Sequence, residues 1–307
     1  MYLLKAKSCG ACAPQLFWRR SGKALFGVGD SGNGQSCMVF LPIANHLLPR
    51  YNERALKRMI RHDYYKVERM SKMIGIIGAM EEEVSALKEE MQTEEIKEIA
   101  GMTFVKGVLC GRNVVVVRSG IGKVNAALCA QILASEFGVD ALINTGIAGS
   151  LDTRIDIGDI VISTDALYHD MDASKFGDPV GQIPRMDVFS FEADPRLVEL
   201  AKEANQEANP DIHTFTGRVV SGDQFISDAK DKERIKRNFD PLCTEMEGAG
   251  IAHAAYLNGI SYVIIRAISD KADNSASVDY PVFEKQAIAH SVRLVKALLL
   301  KLLEKGL

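Results

Sequence analysis

The chain has 307 residues, of which 37 are Lys or Arg and 40 are Asp or Glu, for a net charge of -3, and 47% are hydrophobic. That balance leaves no electrostatic footprint for nucleic acid or for an anionic membrane surface, and the apolar content fills a substantial core. No run approaches the roughly 20 apolar residues of a membrane helix, and the first residues do not form a secretory signal, so the sequence reads as a cytoplasmic globular protein.

Residues 1–72 follow neither period 2 nor period 3.6, and Gly and Ser cluster between Gly27 and Ser36. Cys9 and Cys12 form a CxxC, but only Cys37 and His46 stand near as further ligands, at irregular spacing, so no zinc site is predicted. The stretch "YNERALKRMIRHDYYKVERM" has a thin apolar stripe suited to a short helix. Residues 1–72 are therefore expected to be an N-terminal extension, poorly ordered or not native, with Met73 or Met70 as the true start. An N-terminal mass matching residue 1 in the native protein would sink that expectation. Residues 73–307 form the patterned domain.

From Met73 strands and helices alternate. Runs rich in Val and Ile predict strands at 73–78, 102–109, 113–119, 140–145, 159–163, 214–221 and 261–268. Apolar residues recurring at three and four predict helices at 80–90, 123–136, 195–207, 228–238, 246–258 and 282–304. The alternation implies an α/β domain with a parallel or mixed sheet sandwiched by helices. Cys110, Cys129 and Cys243 lie in apolar or helical sequence and are expected to be reduced and buried. Asp165 to Pro184 reads as a long loop, a length that suggests function.

Several strands end alike: "IIGAMEEE", "VRSGIGKV", "NTGIAGS", "VVSGDQFI" and "IIRAISD" each pass from an apolar run into small or polar residues. Parallel strands deliver such ends to one edge of a sheet, where ligands bind. Asp270 closes a buried run, where burial raises a carboxyl pKa and suits a general acid; capping the next turn or pairing with Lys271 is the alternative. Glu245 and Glu247 stand where a small-residue helix begins, either complementing its dipole or, as carboxylates, accepting two neighbouring sugar hydroxyls. His169, Asp170 and Asp172 fit no compact ligand motif, so structural hydrogen bonding is expected there. In "GAMEEEV" a strand, a glycine turn and a helix start would ordinarily cradle phosphate, yet Glu81, Glu82 and Glu83 occupy it. At about 100° per residue only one of the three faces the site, and Glu83 is the candidate.

Together "IGIIGAMEEEV", "SGIGKVNAA", "INTGIAG", "GDIVIS", "YHDMDASKFG", "GQIP", "VSGDQFI", "EMEG" and "VIIRAISDKAD" resemble, in order, the bacterial 5′-methylthioadenosine/S-adenosylhomocysteine nucleosidases of the nucleoside phosphorylase/hydrolase superfamily. The resemblance covers residues 73 to about 300. It implies a three-layer αβα domain with a central mixed sheet, nucleoside phosphorylase-like, acting as a homodimer without cofactor or metal. It also implies hydrolysis of the N-glycosidic bond of methylthioadenosine and S-adenosylhomocysteine, with 5′-deoxyadenosine a further substrate, in methionine salvage. By position, Glu83 matches the glutamate activating water and Asp270 the acid protonating purine N7. Glu247 matches the ribose-binding carboxylate, with Met246 beside the sugar. Phe225 and Ile226 match the base-recognising pair, Ala148 and Gly149 the loop under the nucleoside, and Ser269 the neighbour of the acid. Met80 and Ile121 join the substrate contacts, Phe176 and Pro184 match positions reaching into the partner subunit's pocket, and Tyr280 matches the aromatic closing it. Ile147 departs from a common serine, Asp178 and the rest of "GDPVG" from an aromatic loop, and Gly248 from a common alanine. The alternatives are a phosphorolytic purine nucleoside phosphorylase, which would need cations where Glu81 to Glu83 stand, a hydrolase of another nucleoside such as futalosine, and a silent nucleoside-binding module.

Overall fold

The computed structural model describes residues 15–18, 24–27, 72–270 and 280–305, with side chains for 72–270 and 284–305. The chain divides into two compact units, Met1–Lys66 and Val67–Leu307. In the first, strands β1 (Gln15–Trp18) and β2 (Ala24–Gly27) pair antiparallel, where the sequence suggested no strands. The CxxC and the helix suggested over 51–70 lie outside the described residues.

The second unit is built on a mixed sheet. Its strands are β3 (Met73–Gly78), β4 (Gln92–Ile99), β5 (Met102–Leu109), β6 (Arg112–Arg118), β7 (Ala141–Ser150), β8 (Ile160–Tyr168), β9 (Phe191–Glu192), β10 (Thr214–Ser221), β11 (Cys243–Glu245) and β12 (Ser261–Asp270). Across the sheet the order runs β11, β10, β8, β12, β7, β3, β6, β5, β4, with β9 added to β8. β11 also pairs antiparallel with β7, so β7, β12, β8, β10 and β11 close on themselves at one end of the sheet. The helices are α1 (Glu81–Glu90), α2 (Lys123–Glu136), α3 (Pro195–Ala208), α4 (Ala229–Phe239), α5 (Gly248–Asn258) and α6 (Tyr280–Lys305). α2 packs with α5, while α6 packs against α1 and α3. Among the described residues no helix is long and apolar enough to cross a membrane.

The sequence periodicities explain these elements. Ile76, Ile77, Val114 to Val117, Ile264 and Ile265 are fully buried in the central strands, as near-continuous Val and Ile runs with both faces covered should be. Asp194 caps α3 by accepting from Arg196 N at 2.9 Å, with Pro195 opening the helix, and Asp228 caps α4 by accepting from Lys230 N at 2.8 Å.

Four differences from expectation have physical causes. β4 was not predicted, because "QTEEIKEI" is polar on both faces; it is an exposed edge strand whose charges discourage further pairing. β11 and β9 are too short to show a period. β7 continues through the glycines of "TGIAGS", past the expected strand end at 145, because Gly146, Ile147 and Ala148 stay in register with Arg266, Ala267 and Ile268 of β12. Likewise β8 extends to Tyr168, so the loop expected from Asp165 begins only after Tyr168.

Candidate active site

The C-terminal ends of these strands meet at an open cleft. Its wall takes Ala79, Met80 and Glu83 from the end of β3 and the start of α1, with Ile121 from the turn after β6. Ile147, Ala148 and Gly149 come from β7, and Gln224, Phe225 and Ile226 from the segment after β10. Thr244, Glu245, Met246 and Glu247 come from β11 and the residues before α5, and Ser269 and Asp270 end β12.

Glu83 lies in the first turn of α1 and folds back toward the end of β3. Its Oε2 accepts from Ala79 N at 2.7 Å and Met80 N at 3.0 Å, and its Oε1 from Ile147 N at 3.2 Å. Burial raises its pKa above the ordinary carboxylate value, against the pull of Arg266 and these backbone donors. Glu81 and Glu82 are exposed, and Glu81 pairs with Lys88 at 2.8 Å. The three glutamates thus differ by orientation: one carboxyl is desolvated in the cleft and its neighbours face water.

Behind the cleft lies Arg266, fully buried on β12. Its Nη2 donates to Glu245 Oε2 and to Asn144 Oδ1, the latter at 2.6 Å, and stands 3.9 Å from Glu247 Oε2. Glu245 also accepts from the Ser221 hydroxyl, from Glu247 N at 3.1 Å and from Gly248 N at 2.8 Å. Desolvation pushes Glu245 up, but Arg266 and these donors together hold it below the ordinary value. Glu247 is pushed up to about 7, first by burial and then by the charge of Glu245. Its Oε1 accepts from Gly122 N at 2.9 Å, which ties the cleft to the turn before α2. Neighbouring carboxyls with pKa values driven apart in this way are a mark of functional sites.

Close approach explains two glycines here. A Cβ on Gly146 would sit 2.5 Å from Glu83 Oε1 and 2.8 Å from Arg266 Nη1, so a side chain there would displace both groups. A Cβ on Gly149 would lie 3.0 Å from both oxygens of Asp270.

Asp270 is buried, and burial raises its pKa against the opposing charge of Lys232. Ser269 Oγ donates to Asp270 Oδ1 at 3.2 Å, and Lys232 Nζ stands 3.6 Å from Oδ2. Pairing with Lys271, the alternative raised by the sequence, lies outside the described residues.

Of the residues singled out from sequence, Glu83, Asp270, Glu247, Met246, Gly149, Ala148, Phe225, Ile226, Ser269, Ile121 and Met80 line one cleft. Phe176 and Pro184 do not: Phe176 is 90% exposed at the end of a short 3-10 turn, and neither contributes to the wall within one chain. The side chain of Tyr280 lies outside the described residues. Asp170 accepts from Lys123 Nζ at 2.5 Å and Asp223 N at 3.0 Å, and Asp172 from Ser174 N at 2.9 Å. Among the described residues no group of His, Cys, Asp and Glu could hold a metal ion. Sequence reading gave no site role to Arg266, Gln224, Thr244 or Lys232. The only signal for Arg266 was a charge interrupting "YVIIRAISD", and for Lys232 a lysine on the apolar stripe of α4.

Residues 73–304 match the Phosphorylase superfamily. A 5′-methylthioadenosine/S-adenosylhomocysteine nucleosidase of Staphylococcus saprophyticus is 45% identical over 231 residues, 74% of this chain and 100% of the relative. The crystal structure of a nucleosidase of the same description from Colwellia psychrerythraea, in complex with adenine, superposes with a TM-score of 0.72 at 39% identity, covering 76% of this chain and 96% of that one. Futalosine hydrolase of Helicobacter pylori superposes with a TM-score of 0.70 at 33% identity, covering 75% and 98%.

Proposed function

The chain belongs to the 5′-methylthioadenosine/S-adenosylhomocysteine nucleosidases of the phosphorylase superfamily, and from that membership we propose that it hydrolyses the N-glycosidic bond of both nucleosides, releasing adenine and the 5-thioribose product. One observation carries the choice of hydrolysis over phosphorolysis. The described residues lining the cleft include four carboxylates, Glu83, Glu245, Glu247 and Asp270, and no Lys, Arg or His. A phosphorylase must hold an anion beside the sugar, and this wall repels one.

The chemistry follows from where charge develops. As the bond from the anomeric carbon to N9 breaks, the ribose becomes oxocarbenium-like and the purine gains electron density. Asp270 in its protonated form gives its proton to N7, so the base leaves neutral. Glu83, its basicity raised by burial, takes a proton from water as the oxygen bonds to the anomeric carbon on the opposite face. Exchange with solvent then returns a proton to Asp270 and removes one from Glu83. Glu247 accepts the ribose hydroxyls, and the charge of Glu83 and Glu247 favours a cationic sugar. Phe225, 75% exposed at the mouth, supplies a stacking face for adenine.

The protein is expected to release adenine from methylthioadenosine at the same rate with and without phosphate, measured by following free adenine. A strict phosphate requirement with a ribose 1-phosphate product would overturn the assignment. Futalosine belongs in the same panel, since a futalosine hydrolase shares the fold; activity on it alone would replace the proposed substrates and leave the hydrolytic chemistry standing.

The same reading places the enzyme in the cytoplasm, in methionine salvage, as a homodimer. Free Cys110, Cys129 and Cys243 suit a reducing compartment. Exposed Ile121, Val124, Leu128 and Phe176 suit burial against a second copy, where Phe176 and Pro184 would complete the 5′ pocket. A solution mass of one chain would remove that part of the reading.

A further inference from the structure

We infer that Lys232, which does not line the cleft, is a positioning residue for the acid at the leaving base: it fixes the Asp270 carboxyl and stabilises the negative charge left there once the proton has gone. This rests on Asp270 acting as that acid.

The observation starts on α4, whose sequence "AKDKERIKRNF" is strongly charged. Its buried residues are Lys232, Ile235 and Phe239, at the spacing of a core-facing stripe. Ile235 and Phe239 belong there, packed with Leu151, Leu167, Val220 and Ile226 in a small apolar cluster. A lysine does not, since it is rarely buried unless paired. Lys232 is 7% exposed, and its Nζ stands 3.6 Å from Asp270 Oδ2, itself at the end of a buried strand. The buried ammonium therefore stands beside the carboxyl that must give up a proton to the base.

Among the described residues, the surroundings leave Lys232 as the charge that matters to Asp270. On its own strand Ser269 donates to Oδ1, and Arg266 is engaged with Glu245 and Asn144. From β11 come the buried Cys243 thiol, which burial keeps protonated by raising its pKa, and Glu245, held by Arg266. From β7 comes Gly149, which carries no charge. From α4 comes Lys232. Burial lifts the carboxyl above its ordinary value, and Lys232 is the strongest influence drawing it back.

The step balances without a proton from the lysine. Asp270 breaks its O–H bond as N7 gains the proton; the carboxyl goes from neutral to negative, and Lys232 stays an ammonium throughout. The pair gains Coulomb attraction only as the proton leaves, which assists departure of the base more than binding of the nucleoside. A carboxyl raised by burial alone would be a weaker acid, and the best acid has a pKa near the working pH.

The test is the pH profile of methylthioadenosine cleavage by the full chain and its Lys232→Met and Lys232→Arg variants. Methionine keeps the buried stem and removes the charge. In Lys232→Met the alkaline limb of kcat/KM should move up by about 1 to 3 pH units, the usual reach of one opposite charge at this range. Its plateau kcat should fall while KM changes little. Arginine should restore both. An unmoved limb in Lys232→Met would overturn the proposal, as would loss of the limb in Lys232→Arg, because the limb would then belong to the lysine. Lys232→Gln reads the same limb should the methionine variant not fold. Asp270→Asn is the control: full activity there would refute the acid itself, a failure distinct from that of Lys232.

Discussion

Asp270→Asn is expected to lower kcat for methylthioadenosine by about 10²- to 10⁴-fold, the usual worth of one general acid. An amide cannot give a proton to N7, so the adenine would have to leave as an anion. The substitution is close to isosteric. Ser269 Oγ can still donate to the amide oxygen that replaces Oδ1, so the loss should fall on kcat and not on folding. A substrate whose base leaves readily without protonation separates the two carboxyls. It should recover much of the rate with Asp270→Asn and little with Glu83→Gln, because the second variant lacks the group that takes a proton from water. Near-wild-type kcat on methylthioadenosine in Asp270→Asn, measured by adenine release, would refute the acid role.

Arg266→Met is expected to destabilise the fold by about 3–5 kcal/mol, the cost of leaving one member of a buried ion pair unpaired. Arg266 and Glu245 are both almost wholly buried, with side-chain exposures of 2% and 3%. Removing the guanidinium leaves Glu245 with the Ser221 hydroxyl and two backbone donors but no cation, with Glu247 and Glu83 close by. Desolvation, the largest influence on Glu245, would then dominate, and the carboxyl would be expected to take up a proton. Urea unfolding measures the loss. Adding Glu245→Gln to Arg266→Met should restore part of it, since the orphaned charge is gone. Unchanged stability in Arg266→Met would show that the pair contributes nothing net and that Arg266 serves only to order the cleft carboxyls.

These two variants probe different kinds of information. Asp270 and Glu83 could be picked out from the sequence because each stands where an apolar strand run meets polar residues, and the C-terminal ends of parallel strands gather at one edge. The same reasoning found "NTGIAGS", although the strand was expected to end at 145. Gly146 in fact stays inside β7, where only a missing side chain lets Glu83 and Arg266 approach. β4 escaped because an edge strand with charges on both faces shows no period.

The family came from the resemblance of whole motifs to a known family, whereas local pattern determined the α/β class, most strand and helix positions and the candidate carboxylates of the cleft. It could do so because burial writes periodicity and strand ends directly into neighbouring residues. The partners of those carboxylates were decided by tertiary structure alone. Glu245 meets Arg266, 21 positions along the chain, because α5 takes the chain from the cleft to the far end of the sheet and β12 brings it back beside β7. Asp270 meets Lys232 because the stripe of α4 faces the end of β12. A lone charged residue in a run looks alike whether it faces water or a buried opposite charge, and only the fold distinguishes the two by removing the water.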